Sequence, residues 1–235
     1  MISKTRMQSL VKEFLVDEVA SGLQEKPALL QFRDERGRNW LHLCANVDVS
    51  TKVTLDPQES VRLAALLLER GIEINVPAFT EGTWHATPLW YATARGRNLV
   101  LAKFLLQSGS TPEHCLWAAS YHEDLPMLRT LVAGGAPLEA IAEGETPLLG
   151  AVKYSKFKAA KLLLEVGCDP NFQDEKGMTA LHYMLKKNSD KSQFGMFVEH
   201  GVRGDIPNAD DMTAAAIMRR KRDPYFHRIA ERIAP

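Results

Sequence analysis

The sequence predicts an all-α protein made of helix-turn-helix repeats that stack into a solenoid, and the first reason is a repeating spacing. Short apolar runs, such as 66–68 and 162–164, each end three residues before a glycine. Successive glycines of this kind are separated by 38, 26, 32 and 34 residues. A period of roughly 20–50 residues is typical of stacked supersecondary units. The five glycines are Gly71, Gly109, Gly135, Gly167 and Gly201.

The second reason is that helix start signals recur in phase with these glycines. Thr-Pro-Leu occurs at 87–89 and 146–148, and Met-Thr-Ala at 178–180 and 212–214. A Thr hydroxyl caps a helix by accepting an unpaired backbone N–H, and Pro fits the first helical position. The leucine-rich run then predicts a second helix, which the glycine ends in a left-handed turn. Helices this short are marginal alone, so each repeat must pack against the next.

Three longer stretches resemble the ankyrin repeat family. Residues 34–42 read Asp-Glu-Arg-Gly-Arg-Asn-Trp-Leu-His, and residues 174–182 read Asp-Glu-Lys-Gly-Met-Thr-Ala-Leu-His. Residues 144–171 begin with Gly-Glu-Thr-Pro-Leu and end with Gly-Cys-Asp-Pro-Asn. The resemblance, which covers 33–218, implies about five repeats of two antiparallel helices and a hairpin-like finger. It also implies a curved solenoid that binds partners along its concave face.

The resemblance further implies structural roles for four polar residues. His42 and His182 are expected to hydrogen-bond between neighbouring repeats. Asn75 and Asn171 are expected to fix the loop that leads into a finger.

The first half of the chain departs from the repeat pattern in three places. Only a few residues separate Gly109 from the next helix, so the third unit is expected to lack a finger. An insertion occupies 45–62, in which Asp56-Pro57 is expected to begin the second helix. A longer loop at 79–86 is expected to project as an extended finger.

We expect a single domain with an N-terminal helical cap at 1–32, where apolar residues follow an amphipathic helical spacing. The alternative for this helix is a partner-binding or membrane-surface role. The repeats are expected to be followed by a degenerate final repeat and C-terminal cap at 208–235. The repeats themselves are expected to occupy 33–207, divided approximately as 33–76, 77–110, 111–140, 141–173 and 174–207.

Composition narrows the functional classes. Lys plus Arg and Asp plus Glu number 29 each, which argues against a strongly basic nucleic-acid binder. The basic run Arg219–Arg222 could be a nucleic-acid or nuclear-import patch, but such runs in a terminal helix are more often a solvated face. No apolar stretch is long enough to span a membrane, and the simplest expected location is cytoplasmic. Cys44, Cys115 and Cys168 are far apart and odd in number, so we expect buried thiols.

Catalytic and metal-binding motifs are not evident. His114 and His122 would lie about 12 Å apart along a helix, too far for one zinc ion with bonds of about 2 Å. No nucleophile or phosphate-loop motif is present, so we expect a non-enzymatic protein without metal or cofactor. One alternative is a hydrolase or transferase with a pocket near the shortened finger, around Glu113, His114, Tyr121 and His122. Another is a regulatory subunit that inhibits a partner enzyme.

The remaining interpretation is a protein-interaction module whose fingers and first helices contact a protein or peptide. Trp, Tyr and Arg carry most interface energy, so Trp84, Arg95, Tyr121 and Tyr154 are the first candidates, although Trp84 could equally pack onto its own loop. Trp90 and Trp117 are expected in the core. An acidic segment beside an apolar anchor would suit the basic helix ends. By resemblance, the other partner-binding candidates are Arg36, Arg38, His122, Glu143, Glu145, Lys153, Lys176, Met178 and Lys186.

Overall fold

The computed structural model describes residues 2–78 and 86–234, and within these ranges the backbone is helical. No strand is found in the described ranges; extended pairing is limited to three isolated bridges. Two of them, Ala142 with Glu145 and Pro207 with Thr213, lie directly before helices. The predicted all-α helix-turn-helix fold is therefore confirmed.

Two N-terminal helices and a 3-10 helix precede six helix pairs. The N-terminal helices are α1 (Lys4–Lys12) and α2 (Val16–Glu25), and the 3-10 helix covers Pro27–Gln31. The first three pairs are α3 (Trp40–Ala45) with α4 (Pro57–Glu69), α5 (Pro88–Ala94) with α6 (Leu99–Gln107), and α7 (Cys115–Tyr121) with α8 (Leu125–Ala133). The last three are α9 (Pro147–Lys153) with α10 (Phe157–Glu165), α11 (Ala180–Lys186) with α12 (Lys191–Glu199), and α13 (Ala214–Arg219) with α14 (Pro224–Ile233).

The helix starts and stops follow the predicted signals. The hydroxyls of Thr87, Thr146 and Thr213 accept backbone N–H groups of the first turn at 3.3, 3.2 and 3.1 Å. Two second helices end at Gly109 and Gly167, which have φ of 95° and 94°. Residues with a side chain rarely adopt this left-handed backbone conformation, which explains why glycine recurs at these positions.

The chain divides into two compact units. The first comprises 1–115 and 129–136, and the second comprises 116–128 and 137–235. In the first unit, α1, α3 and α5 pack in series, and so do α2, α4 and α6. In the second, α9, α11 and α13 pack in series beside α10, α12 and α14. Within each series, a helix thus packs against the equivalent helix of the next pair, as stacked repeats require.

Buried histidines connect successive repeats, as the resemblance implied. His42 Nε2 lies 3.3 Å from the carbonyl oxygen of Ala86, and His182 Nε2 lies 2.9 Å from that of Met212. In both repeats Nδ1 accepts the N–H of the residue at the helix start, at 3.3 Å from Asn39 and 3.2 Å from Thr179. Both imidazoles are therefore structural.

The asparagines act over a longer range than predicted. Asn75 Nδ2 donates to the carbonyl of Gly109 at 3.1 Å, and its Oδ1 accepts the N–H of Thr111 at 3.0 Å. Asn171 makes the same pair of bonds to Gly201 and Arg203, at 3.3 and 2.7 Å. Each side chain therefore holds the loop of the following repeat instead of its own.

The predicted irregularities can be followed where the chain is described. Only residues 110–114 separate Gly109 from α7, which confirms that the third pair lacks a finger. Asp56 begins α4, because its carboxylate accepts the N–H of Gln58 at 2.9 Å. The predicted extended finger at 79–86 lies, apart from Ala86, outside the described residues.

Candidate functional site

Three aromatic side chains form an exposed cluster at the ends of α7 and α9 in the second unit. The rings of Tyr121 and Tyr154 meet edge to face at 4.9 Å between centroids. Trp117 stacks on Tyr121 at 5.6 Å and meets Tyr154 edge-on at 6.1 Å. Tyr121 is 42% exposed and Tyr154 is 43% exposed. We call these three residues the aromatic cluster.

Trp117 corrects one sequence interpretation. It was expected in the core, but it is half-buried and forms the base on which both tyrosines rest. Trp90, by contrast, is buried as expected. Both tryptophans lie inside short helices, so only the packing of the neighbouring repeat distinguishes them.

A partly buried ion pair supports the aromatic cluster. Glu145 is 3% exposed; its carboxylate accepts the indole N–H of Trp117 at 3.4 Å and pairs with the ammonium of Lys153. Burial alone would lower the pKa of Lys153, but the hydrogen bond and charge of Glu145 outweigh it and raise that pKa. Glu145 was predicted at a finger tip facing a partner; it instead fixes the position of the indole from behind.

A second acidic group extends this network. The Lys153 ammonium lies 5.1 Å from the ring centroid of Tyr183, and the Tyr183 hydroxyl donates to the Asp174 carboxylate. Burial and this hydrogen bond raise the pKa of Tyr183 to about 12. Although burial opposes ionisation of Asp174, hydrogen bonds from Tyr183 and two backbone N–H groups keep its pKa lowered. These groups therefore satisfy one another.

Several other predicted site residues surround the aromatic cluster or lie on the second unit's fingers. The ring of His122 meets Tyr121 at 5.4 Å. Glu143 and Lys176 are exposed, and Lys186 is exposed at the end of α11. Met178 is half-buried, with its sulfur 3.7 Å from Nδ2 of Asn208.

The remaining candidates belong to the first unit. Arg38 forms an ion pair with Asp34 at 2.7 Å and lies 5.8 Å from the ring centroid of Tyr91, so its guanidinium is engaged within the fold. Arg36 and Arg95 are exposed. Trp84 lies outside the described residues.

The groups considered for catalysis or metal binding are separated by a helix. His114 precedes α7 and His122 follows it, and a helix of this length spans about 10 Å. In the described ranges, no group of three or more His, Cys, Asp or Glu residues is arranged to hold a metal ion. All three cysteines are buried, and burial raises the pKa of Cys115 and of Cys168 to about 12. Their thiols are therefore protonated near neutral pH.

Gly150 offers a test of the aromatic cluster's support. A Cβ there would lie 2.7 Å from Nε1 of Trp117 and 3.1 Å from Oε2 of Glu145, so Gly150→Ala should displace the indole. Overpacking costs about 1–3 kcal/mol, and alanine returns up to about 1 kcal/mol of helix propensity, so the fold should persist. We expect the indole N–H resonance of Trp117 to shift in a ¹H–¹⁵N spectrum.

Gly195 provides the matched control, because a Cβ there meets no atom within 4 Å. In Gly195→Ala the indole resonance should stay in place. An unchanged Trp117 resonance in Gly150→Ala would contradict the contact between glycine and indole.

The stacked helix pairs, the capped starts and the histidine links define a helical repeat protein. A family model described as ankyrin repeats, in three copies, matches residues 115–194. The chain is 26% identical over 136 residues to the ankyrin repeat protein FPV022 of fowlpox virus, covering 53% of this chain and 22% of that protein. It is 31% identical over 166 residues to rat neurogenic locus notch homolog protein 1, covering 67% and 6% respectively. The chain thus spans less than a quarter of the length of either relative.

Two solved structures share the fold over nearly their whole length. The ankyrin repeat domain of Bcl-3, described as a unique member of the IkappaB protein family, aligns with a TM-score of 0.74 at 20% identity and covers 96% of this chain and 97% of that one. The ankyrin repeat domain of human ASB11 aligns with a TM-score of 0.73 at 18% identity, covering 100% and 99%. The chain belongs to the ankyrin repeat family. Ankyrin repeats are generally protein–protein interaction modules and typically non-enzymatic.

No helix within the described ranges combines the length and the hydropathy that crossing a bilayer requires.

Proposed function

We propose that this chain is a non-enzymatic interaction module that binds a protein or peptide partner through a surface centred on Tyr121 and Tyr154. The observation that carries the proposal is the exposure of both rings, 42% and 43%, on a base fixed by Trp117 and Glu145. In this proposal the chain acts either as a scaffold that holds the partner or as a regulatory subunit that inhibits a partner enzyme. The three buried, reduced cysteines suit a cytoplasmic setting.

Exposed aromatic rings held in place are suited to binding for a physical reason. A fully buried aromatic side chain removes about 150–250 Å² from water, and tyrosine is enriched among the residues that dominate interface energy. The two tyrosine rings already contact each other and Trp117, so binding would immobilise little additional side-chain freedom. In the free chain these rings remain partly exposed to water, and binding a partner would remove their apolar surface from it.

The neighbouring polar groups favour recognition over reaction. Glu145 and Lys153 pair with each other, and Asp174 accepts the Tyr183 hydroxyl, so their charges stabilise the surface. His122, Glu143, Lys176, Met178 and Lys186 complete the proposed contact surface of the second unit. In the first unit, we propose the exposed Arg36 and Arg95 as further contacts.

The experiment is affinity capture from native lysate with the double variant Tyr121→Ala/Tyr154→Ala. Partners retained by the wild type should fall tenfold or more, because two rings of the interface are removed. The thermal midpoint should change little, because both rings are more than 40% exposed in the free chain. Quantitative mass spectrometry measures the capture.

Ile141→Ala serves as the control, because Ile141 is an exposed apolar residue, 52% accessible, outside the aromatic cluster. It should capture the same partners as the wild type. Equal capture by the double variant and the wild type would refute the assignment of the surface.

A further inference from the structure

The ends of the first helices in the second unit form a row whose chemistry changes from aromatic to basic. Each member is 33 residues from the next, so all occupy the same position in successive helix pairs. We call this set the end row. Its members are Tyr121, Tyr154, Lys187 and Arg220.

Contacts between repeats show that these helix ends lie side by side. The Lys187 ammonium donates to the backbone carbonyl of Lys153 and to Oγ of Ser155, the latter at 3.1 Å. At the other end of these helices, His182 near the start of α11 bonds to the carbonyl of Met212 just before α13, at 2.9 Å, and α11 packs against α13. The residues that are equally spaced in the sequence therefore also follow one another in space, from α9 to α11 to α13.

The two basic members of the end row, Lys187 and Arg220, have no acidic residue beside them at the ends of their helices. Residues 186–189 and 219–222 contain no Asp or Glu. The acids that follow are engaged: Asp190 caps α12, and Asp223 caps α14 through the N–H of Tyr225 at 3.0 Å and pairs with Lys191. Within the described part of the chain, Lys186, Arg219, Arg220 and Arg222 make no ion pair within 4.0 Å.

Helix electrostatics alone do not explain this pattern. The helix dipole favours cations near a helix C-terminus, which could account for any one of them. The last turn of α7 contains no basic residue, and Lys153 in the last turn of α9 is paired with Glu145, so neither of these helices has an unpaired cation at its end. The concentration of uncompensated cations beside an exposed aromatic pair therefore points to a ligand.

Resting on the proposed function, we infer that the partner contributes an extended acidic segment. Its aromatic or large aliphatic residue packs on Tyr121 and Tyr154, and its carboxylates follow the end row toward Lys186, which precedes the row's Lys187, and Arg220. Packed helices are about 8–10 Å apart, so Lys186 is about 10 Å and Arg220 about 20 Å from Tyr154. An extended chain advances about 3.3–3.6 Å per residue. Carboxylates about three and about six residues from the anchor therefore meet the two basic helix ends.

The test selects a random 12-residue peptide library on the full chain and on three variants. We expect the wild type to enrich peptides with Asp or Glu about three and six residues from an aromatic or large aliphatic residue. The variant Lys186→Glu/Arg220→Glu should lose the acidic preference and bind the best peptide at least tenfold more weakly by fluorescence anisotropy. Lys12→Glu/Lys103→Glu, which makes the same change in net charge at exposed helix positions of the first unit, should behave as the wild type.

The outcomes separate this inference from the proposed function. Peptides that require Tyr121 and Tyr154, tested with the double alanine variant, but show no acidic preference would overturn the acidic segment and leave the interaction surface standing. If the selected peptides depend neither on Tyr121 and Tyr154 nor on Lys186 and Arg220, or if no peptide is enriched, both the acidic segment and the proposed interaction surface are overturned. Tighter binding of a 20-nucleotide single-stranded RNA than of the best peptide, lost in Lys186→Glu/Arg220→Glu, would replace the acidic segment by nucleic acid.

Discussion

Replacing Trp40 by alanine should lower the free energy of unfolding by about 3–5 kcal/mol, the usual loss for a large aromatic residue removed from a core. Trp40 is fully buried at the start of α3 and stacks on Phe32, with ring centroids 4.0 Å apart. Its indole N–H donates to the carbonyl of Leu29 at 2.7 Å. The variant therefore loses apolar burial, leaves a cavity, and deprives a buried carbonyl of its donor.

Urea denaturation followed by far-UV circular dichroism measures the loss. Trp40→Phe keeps most of the ring volume and removes only the N–H donor, so its loss should be clearly smaller than that of alanine. Trp117→Ala, at a half-buried position, should also cost less. A midpoint for Trp40→Ala that equals the wild-type midpoint would show that Trp40 does not join the N-terminal segment to the first repeat.

The second large effect that we expect is a decrease in the free energy of unfolding as the pH falls from 6.5 to 4. Burial lowers the pKa of His42 from 6.5 to about 4, so the folded chain keeps this imidazole neutral. As the pH falls through 6.5, the unfolded chain takes up a proton that the folded chain refuses, and folding becomes less favourable. The loss is complete near pH 4, where both states are protonated, and amounts to about 3 kcal/mol.

His42→Gln isolates this contribution. The variant should be less stable than the wild type at pH 7, but its stability should depend less on pH between 6.5 and 4. Asp34 and Asp174 have lowered pKa values, so the stability that they contribute is lost only as the pH falls below about 3.8. Parallel pH curves for wild type and variant between 6.5 and 4 would contradict a neutral, buried His42.

Much of the fold could be predicted because its signals are local. A Thr hydroxyl reaches an N–H only three residues away, as Thr146 does, and a glycine such as Gly167 is required by its own φ. Such signals repeat along the chain and so reveal the period. The roles of His42 and His182 came with the resemblance, and their bonds to Ala86 and Met212 agree with it.

The candidate site was less predictable, because exposure depends on the neighbouring repeat. Trp117 and Trp90 lie in similar helices, yet Trp90 is buried, whereas Trp117 is half-buried and packs on Tyr154, 37 residues further along the chain. Glu145 follows a finger, but Lys153 on α9 draws it inward. Asn75 bonds to residues 34 and 36 positions away. A local sequence pattern cannot reveal contacts between residues so far apart in the sequence. A residue-by-residue alignment of the repeats, however, would have placed Tyr121 and Tyr154 at the same position.

The two histidine links enclose chain segments of different length, 44 residues for His42 and 30 for His182, because the first repeat has an insertion before α4, a longer second helix and a longer loop after it. The entropy of closing a flexible loop rises only with the logarithm of its length, so this difference amounts to about 0.3 kcal/mol. The inserted segment therefore adds almost no thermodynamic burden to the contact that bridges it. Evolution can lengthen or shorten the chain at this point, and a designer can graft a new peptide there, while the register of the stacked helices stays the same.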